Sequence, residues 1–206
     1  MPRRGHFLRG GSCADLLRGR TARHAHDIRS RGVGRWPALQ TASMRDEILN
    51  GFEIERRRLR AVLQGVPSSR WADQPGGLVH HAAWTVGHLA VSMEAIGGEL
   101  GLAPWLDDAW RARHGQGSSP VPARIVYPES PILLDMFDGG ADRVVAAVRG
   151  LGDEGWRGPL PDERHRATYP TLAHAVLHVL VGHTAFHVGQ LVAWARARQD
   201  ERRLQP

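Results

Sequence analysis

Val181-Gly-His-Thr-Ala-Phe-His-Val-Gly-Gln-Leu191 sets two histidines, His183 and His187, four residues apart inside an apolar run. On a helix that spacing leaves the imidazoles about 40° apart around the axis and about 6 Å apart along it, so they share a face. One helix can then offer two nitrogen ligands to a single divalent ion, whose bonds to imidazole are about 2.0–2.1 Å. A third ligand must come from elsewhere in the chain. His88, in Trp84-Thr-Val-Gly-His-Leu89, is the best candidate, because it also sits on a helical pattern among apolar neighbours. The plainer account of such a pair is a histidine hidden in a helix and bonded to a backbone carbonyl.

The chain has 206 residues, 42% of them hydrophobic, which suffices for one sizeable core and points to one domain. No apolar run reaches the length needed to cross a bilayer, so neither an integral membrane protein nor a membrane partner is expected. Cys13 is the only cysteine, which excludes an intrachain disulfide and a cysteine metal cluster. The formal charge of +6 invites a nucleic-acid reading until it is apportioned. Residues 1–43 hold nine arginines against Asp15 and Asp27, whereas the remainder carries a net −1. The basicity therefore belongs to the leader, and a nucleic-acid-binding groove on the folded part is not expected. The leader reads as a disordered Arg-rich extension or a misassigned start, with Met44 as an alternative initiator.

From Arg45 the pattern becomes helical, with Ile48, Phe52, Leu59, Val62 and Leu63 on one side and a mostly charged opposite side; this helix should end near Gly65. Pro67 to Gly77 is turn-rich. A second helix is expected from about Leu78 to Leu100, carrying Ala82, Val86, Leu89, Met93 and Ile96 on its apolar stripe and His88 beside it. His81 precedes His88 by two turns, so it is either a cap at the helix start or a residue of the pocket wall. Leu102 to Pro128 reads as a long connection with a short helix near Trp105 to Arg113. Its tryptophans and His114 either roof the bundle end or pad the outside of the core. Ser130-Pro131 is expected to cap a third helix running to about Leu151, with Gly139-Gly140 a weak point. Asp162, Glu163 and His165 lie on the next connection, as solvated groups or as acid and base. Thr171 is expected to cap a fourth helix that reaches about Arg198. A second four-spaced pair, His174 and His178, lies on this helix. Nine residues separate His178 from His187, about 180° on an α-helix, so the two pairs cannot face one ion.

W-T-V-G-H-L-A on one segment and H-T-A-F-H-V-G-Q-L on a later one resemble the paired signatures of the DinB-like superfamily of bacterial four-helix-bundle proteins. The likeness runs from about Met44 to about Arg198. It implies an all-α fold: a four-helix bundle of the DinB-like type, with a long loop between helices 2 and 3. The bundle would occupy 44–200, with 1–43 as the extension and 201–206 as a tail. The resemblance favours His88, His183 and His187 as metal ligands, with Gln190, His178, His81 and Trp84 behind them or in the pocket. His178 is read as a core or supporting hydrogen bonder and His174 as exposed.

The ion implied is a divalent metal, zinc first, with nickel, manganese or iron compatible with imidazole. Three protein ligands leave a position at which water or a thiol can be activated. Characterised relatives include transferases using low-molecular-weight thiols such as bacillithiol, mycothiol or glutathione. The leading expectation is therefore a cytoplasmic, metal-dependent thiol S-transferase acting on a small-molecule substrate. A hydrolase using metal-bound water, or a noncatalytic stress-response metal-binding or dimerisation module, are the alternatives. Relatives are often dimers, so a homodimer is compatible with the resemblance.

Overall fold

The computed structural model describes residues 43–204. The Arg-rich extension, the alternative start and Cys13 lie outside or at the border of the described residues. Four long helical segments carry the fold: α1 (Met44–Leu63), α2 (Ala82–Glu99), α4 (Ser130–Gly150) and a last one built from α6 (Leu172–Leu177), a π-helical segment (His178–His183) and α7 (Thr184–Leu204). Short helices α3 (Asp108–His114) and α5 (Asp153–Arg157) lie in the connections. Among the described residues there is no strand, only an isolated bridge between Pro159 and Thr171. The all-α bundle with its long connection after α2 is as expected.

Each start follows from local chemistry. Ser43 opens α1 by accepting from the Asp46 N–H while the Asp46 carboxylate accepts from the Ser43 N–H, a reciprocal box that answers two otherwise orphaned donors. Thr171 caps α6 through the His174 N–H, as the sequence suggests. Two boundaries differ from expectation. α2 begins at Ala82 rather than Leu78, because Pro75–Gly77 forms its own 3₁₀ turn with Gly76 and Gly77 at positive φ, and the next three residues lead into the cap, His81. Ser130 is the first helical residue of α4 and not its cap; its N–H is satisfied instead by the Ser68 hydroxyl. The helix passes Gly139-Gly140 unbroken. Gly140 serves close approach there, since a Cβ on it would lie 3.2 Å from the Met93 Cβ and 3.3 Å from the Trp105 ring.

α2 is the centre of the bundle. Its Ala82, Val86, Leu89, Ala90 and Met93 are fully buried, and it packs against both α4 and α7 while α1 packs against α4 and the last helical segment. Leu133, Phe137, Val144 and Val148 of α4 and Leu180, Val188, Leu191 and Trp194 of the last helix complete the core. By length and composition, Leu172–Glu201 is apolar enough to cross a membrane, which the apolar-run reading missed. In the fold its buried stripe is taken up by α1 and α2. Residues 201–204 continue α7 rather than forming a tail, and the Glu201 carboxylate accepts the Gly76 N–H at 2.8 Å.

One polar clamp crosses the α1–α4 seam. Asp138 receives Arg56 at 2.9 Å and also Arg60, and Arg56 reaches Asp142 at 2.8 Å. Removing Asp138 leaves a largely buried guanidinium without its inner partner, so Asp138→Ala is expected to cost about 3 kcal/mol while Asp142→Ala, whose carboxylate is mostly solvated, costs about 1 kcal/mol or less. Urea unfolding of the two variants checks the difference.

Candidate metal centre

His88 projects from α2, and His183 and His187 from the π segment and α7. Their rings meet between the helices: Nε2 of His183 lies 3.3 Å from Nε2 of His88 and 3.1 Å from Nε2 of His187. One nitrogen from each of the three rings falls within 4.8 Å of the other two. Two donors about 2.0–2.1 Å from a common ion can be at most about 4.2 Å apart, and both of the shorter separations meet that limit.

The remaining ring nitrogens decide whether those Nε2 atoms carry lone pairs. Nδ1 of His88 is 2.8 Å from the His114 carbonyl, and Nδ1 of His187 is 2.8 Å from Oε1 of Gln190. A carbonyl only accepts, so both Nδ1 atoms hold the proton and both Nε2 atoms are left as acceptors. His183 Nδ1 is buried without a partner. Desolvation is the largest influence on all three rings: it holds the His88 pKa below its ordinary value, and with neighbouring imidazoles it brings His183 down to about 4 and His187 to about 3. All three are neutral near pH 7, the state a metal requires of imidazole. The donor set therefore fits a divalent ion.

The glycine before His88 is part of this arrangement. A Cβ at Gly87 would fall 2.1 Å from the His114 ring, so only glycine lets that ring lie against α2. The fully buried His114 is held by an Nδ1–H bond to the Trp84 carbonyl at 3.3 Å, and Trp110 donates to the Gly87 carbonyl. The long connection is thereby fixed where the His114 carbonyl meets His88. Of its residues Gln116 reaches the cavity beside His88, while Trp110 and His114 brace α2 from the outside. Trp105, by contrast, is wedged against Gly97 and Gly140 as padding.

The other sequence candidates fall into place around this centre. Trp84 stacks flat on His88, with ring centroids 4.8 Å apart and planes 8° from parallel. Gln190 is the partner of His187. His81 does not line the cavity: it is the N-cap of α2, accepting from the Trp84 N–H at Nδ1 and donating to the Val121 carbonyl at Nε2. His174 is exposed, as expected. His178 is not a core residue. As expected, the His174 and His178 pair stays out of the three-imidazole group, but the π segment widens the helical turn, and the His178 ring comes 6.2 Å from that of His183 and 4.9 Å from Tyr169, exposed at the cavity wall.

Beside His88 and His183 lies a cavity of about 590 Å³. Asp162 and His165 line it from the connection before α6, with Nδ1 of His165 donating to Asp162 at 3.2 Å. Hydrogen bonding from Arg164 holds the Asp162 carboxyl far below its usual range. Sequence reasoning passed over Glu99, which lines the far end, and His80, whose ring lies 5.1 Å from Trp84. The spacing His88, Ser92, Ala95, Glu99 on one stripe of α2 is the signal that could have found Glu99.

A family model described as the DinB superfamily matches residues 52–191. A crystal structure of a conserved protein from Enterococcus faecalis resembles this chain with a TM-score of 0.61 at 16% identity, covering 76% of this chain and 97% of that one, a likeness of fold. No curated protein matches.

Two expectations follow. Gly87→Ala should destabilise the chain by about 1–3 kcal/mol through overpacking and should also weaken binding of added Zn²⁺, because displacing His114 removes the carbonyl that orients His88; calorimetric titration with the ion reads the second effect. The second concerns acid. Burial lowers the His114 pKa from 6.5 to about 4, so below pH 6.5 the unfolded chain takes up a proton that the folded one refuses. Stability is thus fully present above pH 6.5 and falls toward pH 4, His114 alone contributing up to about 3 kcal/mol. Urea midpoints of the chelated protein at pH 7 and pH 4.5 should differ in that direction, and less so in His114→Gln.

Proposed function

The chain belongs to the DinB superfamily, and on that footing we propose that it is a divalent-metal-dependent enzyme that activates a low-molecular-weight thiol for transfer to an electrophilic small molecule. The observation that carries this reading is the juxtaposition of three neutral, convergent imidazoles with a cavity that two of them line. His88, His183 and His187 would hold the ion, zinc being the first choice. When bound, it would supply Lewis acidity, favouring the thiolate form of a thiol near pH 7.

The protein's own groups do the rest. Gln190 and the His114 carbonyl fix the tautomers of two ligands, so the site is organised before any ion arrives. Trp84 covers one face of His88, and the apolar packing below keeps bulk water from that side. The cavity leaves His88 and His183 approachable from the other side, which is where a thiol would enter. His178 and His165 stand on the same wall, and either imidazole can accept the thiol proton when it is released.

The purified protein is expected to bind about one divalent ion per chain, and replacing His88, His183 and His187 together by alanine should abolish this; full metal content in the triple variant would sink the assignment. Gln190→Ala should weaken metal affinity about 10–100-fold without unfolding the chain. An electrophile panel assayed with and without thiol tests the reaction: turnover that ignores the thiol would point to hydrolysis instead.

A further inference from the structure

The cavity beside the imidazoles is a trough with unlike ends. One wall is the α2 stripe of His88, Ser92, Ala95 and Glu99, whose spacings of four, three and four keep them on one side of the helix. Eleven residues separate the backbones of His88 and Glu99 by about 16 Å. Ala175, Val179 and His183 of the last helix form the facing wall. The middle is apolar, with Val91, Ile96 and Leu160 between the imidazole end and the carboxylate end.

The far end carries the carboxylates of Glu99 and Asp162, of which Asp162 alone has an arginine in direct contact. Asp162 is paired with Arg164 at 2.7 Å, and its N–H donates to Oε2 of Glu99 at 3.0 Å. The neighbouring Arg166 is turned onto the Leu160 carbonyl at 2.6 Å and Glu163 at 2.9 Å. Glu99 forms no direct ion pair among the described residues, Arg164 acting on it only from longer range, and no arginine lines the trough there. A carboxylate-bearing ligand entering this end would meet like charge. A cation would find an acceptor held in place by a backbone donor and within reach of the apolar middle.

Taking the cavity as the substrate site proposed above, we infer that it selects an elongated ligand with a cationic amine head. The amine sits at Glu99, an apolar body lies along α2, and the opposite end reaches the imidazoles. Glu99 is a specificity-determining residue, and thiols that carry a carboxylate at this distance are discriminated against.

Three thiols that differ only in the head group test this: 6-aminohexane-1-thiol, 6-mercaptohexan-1-ol and 6-mercaptohexanoic acid, titrated calorimetrically into the full-length, Zn²⁺-loaded protein. The amine should bind about tenfold tighter than the alcohol, and the acid should be weakest. Glu99→Gln keeps an acceptor for the Asp162 N–H and should bring amine and alcohol to within about twofold; Glu99→Lys should reverse the order of amine and acid. Equal binding of all three by the unaltered protein, or an amine preference that survives Glu99→Gln, would overturn the proposal and leave the metal centre untouched. Hexylamine, which lacks the thiol, separates the two readings. If no thiol binds while hexylamine binds both the unaltered protein and the triple-histidine variant in a Glu99-dependent way, the amine subsite stands and the metal-thiol reading falls.

Discussion

Everything in this protein turns on keeping three imidazoles uncharged inside a helical bundle. A ring taken from water into apolar surroundings loses the solvation of its charged form, and three rings packed together add mutual repulsion, so the cluster exists only as neutral groups. Neutral imidazole still has a donor to place. The bundle places two of them on carbonyl oxygens, one from the backbone at His114 and one from the Gln190 side chain, which turns the remaining lone pairs toward a common point. The same arrangement that makes burial tolerable makes the rings into ligands.

That requirement reaches well beyond the three histidines. The His114 carbonyl is in position only because its ring lies on Gly87, and Trp110 pins the same turn through the Gly87 carbonyl. Thus a glycine, a tryptophan and a histidine from a connection of nearly thirty residues act as one bracket for His88. His81 holds the start of α2 two turns earlier, with both ring nitrogens engaged. The site is supported mostly by hydrogen bonds to backbone, which depend on the fold as a whole rather than on any one side chain.

Much of this could be read from the chain alone, and the reasons for the rest are physical. Periodicity located the four long helices because each has a buried stripe, and the four-residue spacing of His183 and His187 survives because the π segment ends at His183 and the residues from Thr184 on are α-helical. His88 was found from its neighbours, and its closeness to the pair is a fact of tertiary packing that the pattern only suggests. Counting at 100° per residue keeps His178 out of the metal group, as the structure does, but cannot put it on the cavity wall, because backbone bonding in His178–His183 departs from the α pattern without an obvious residue to announce it. His81 was ambiguous since a cap and a wall residue occupy the same sequence position. Glu99 was hidden by its ordinary setting at a helix end, and Asp162, though named as a candidate, could not be placed on the cavity wall because no local rule gives the path of its loop.

The π segment carries a last implication, for how this chain can change length. A widened turn absorbs one residue more than the α-helical turn it replaces, so trimming a single residue between 178 and 183 would let the helix relax into regular form with the two sides of the cut still in phase. Leu172, Ala175 and Val176 would then go on facing inward together with Val188, Leu191 and Trp194. Counted as continuous α-helix the two halves would fall out of phase by about 100°, and the widening takes up the surplus residue and reconciles them. Adding a residue outside the widened turn should be as disruptive as a slip of β-strand register, whereas the loss of one here should be tolerated, although in the linear sequence the segment passes for unremarkable helix.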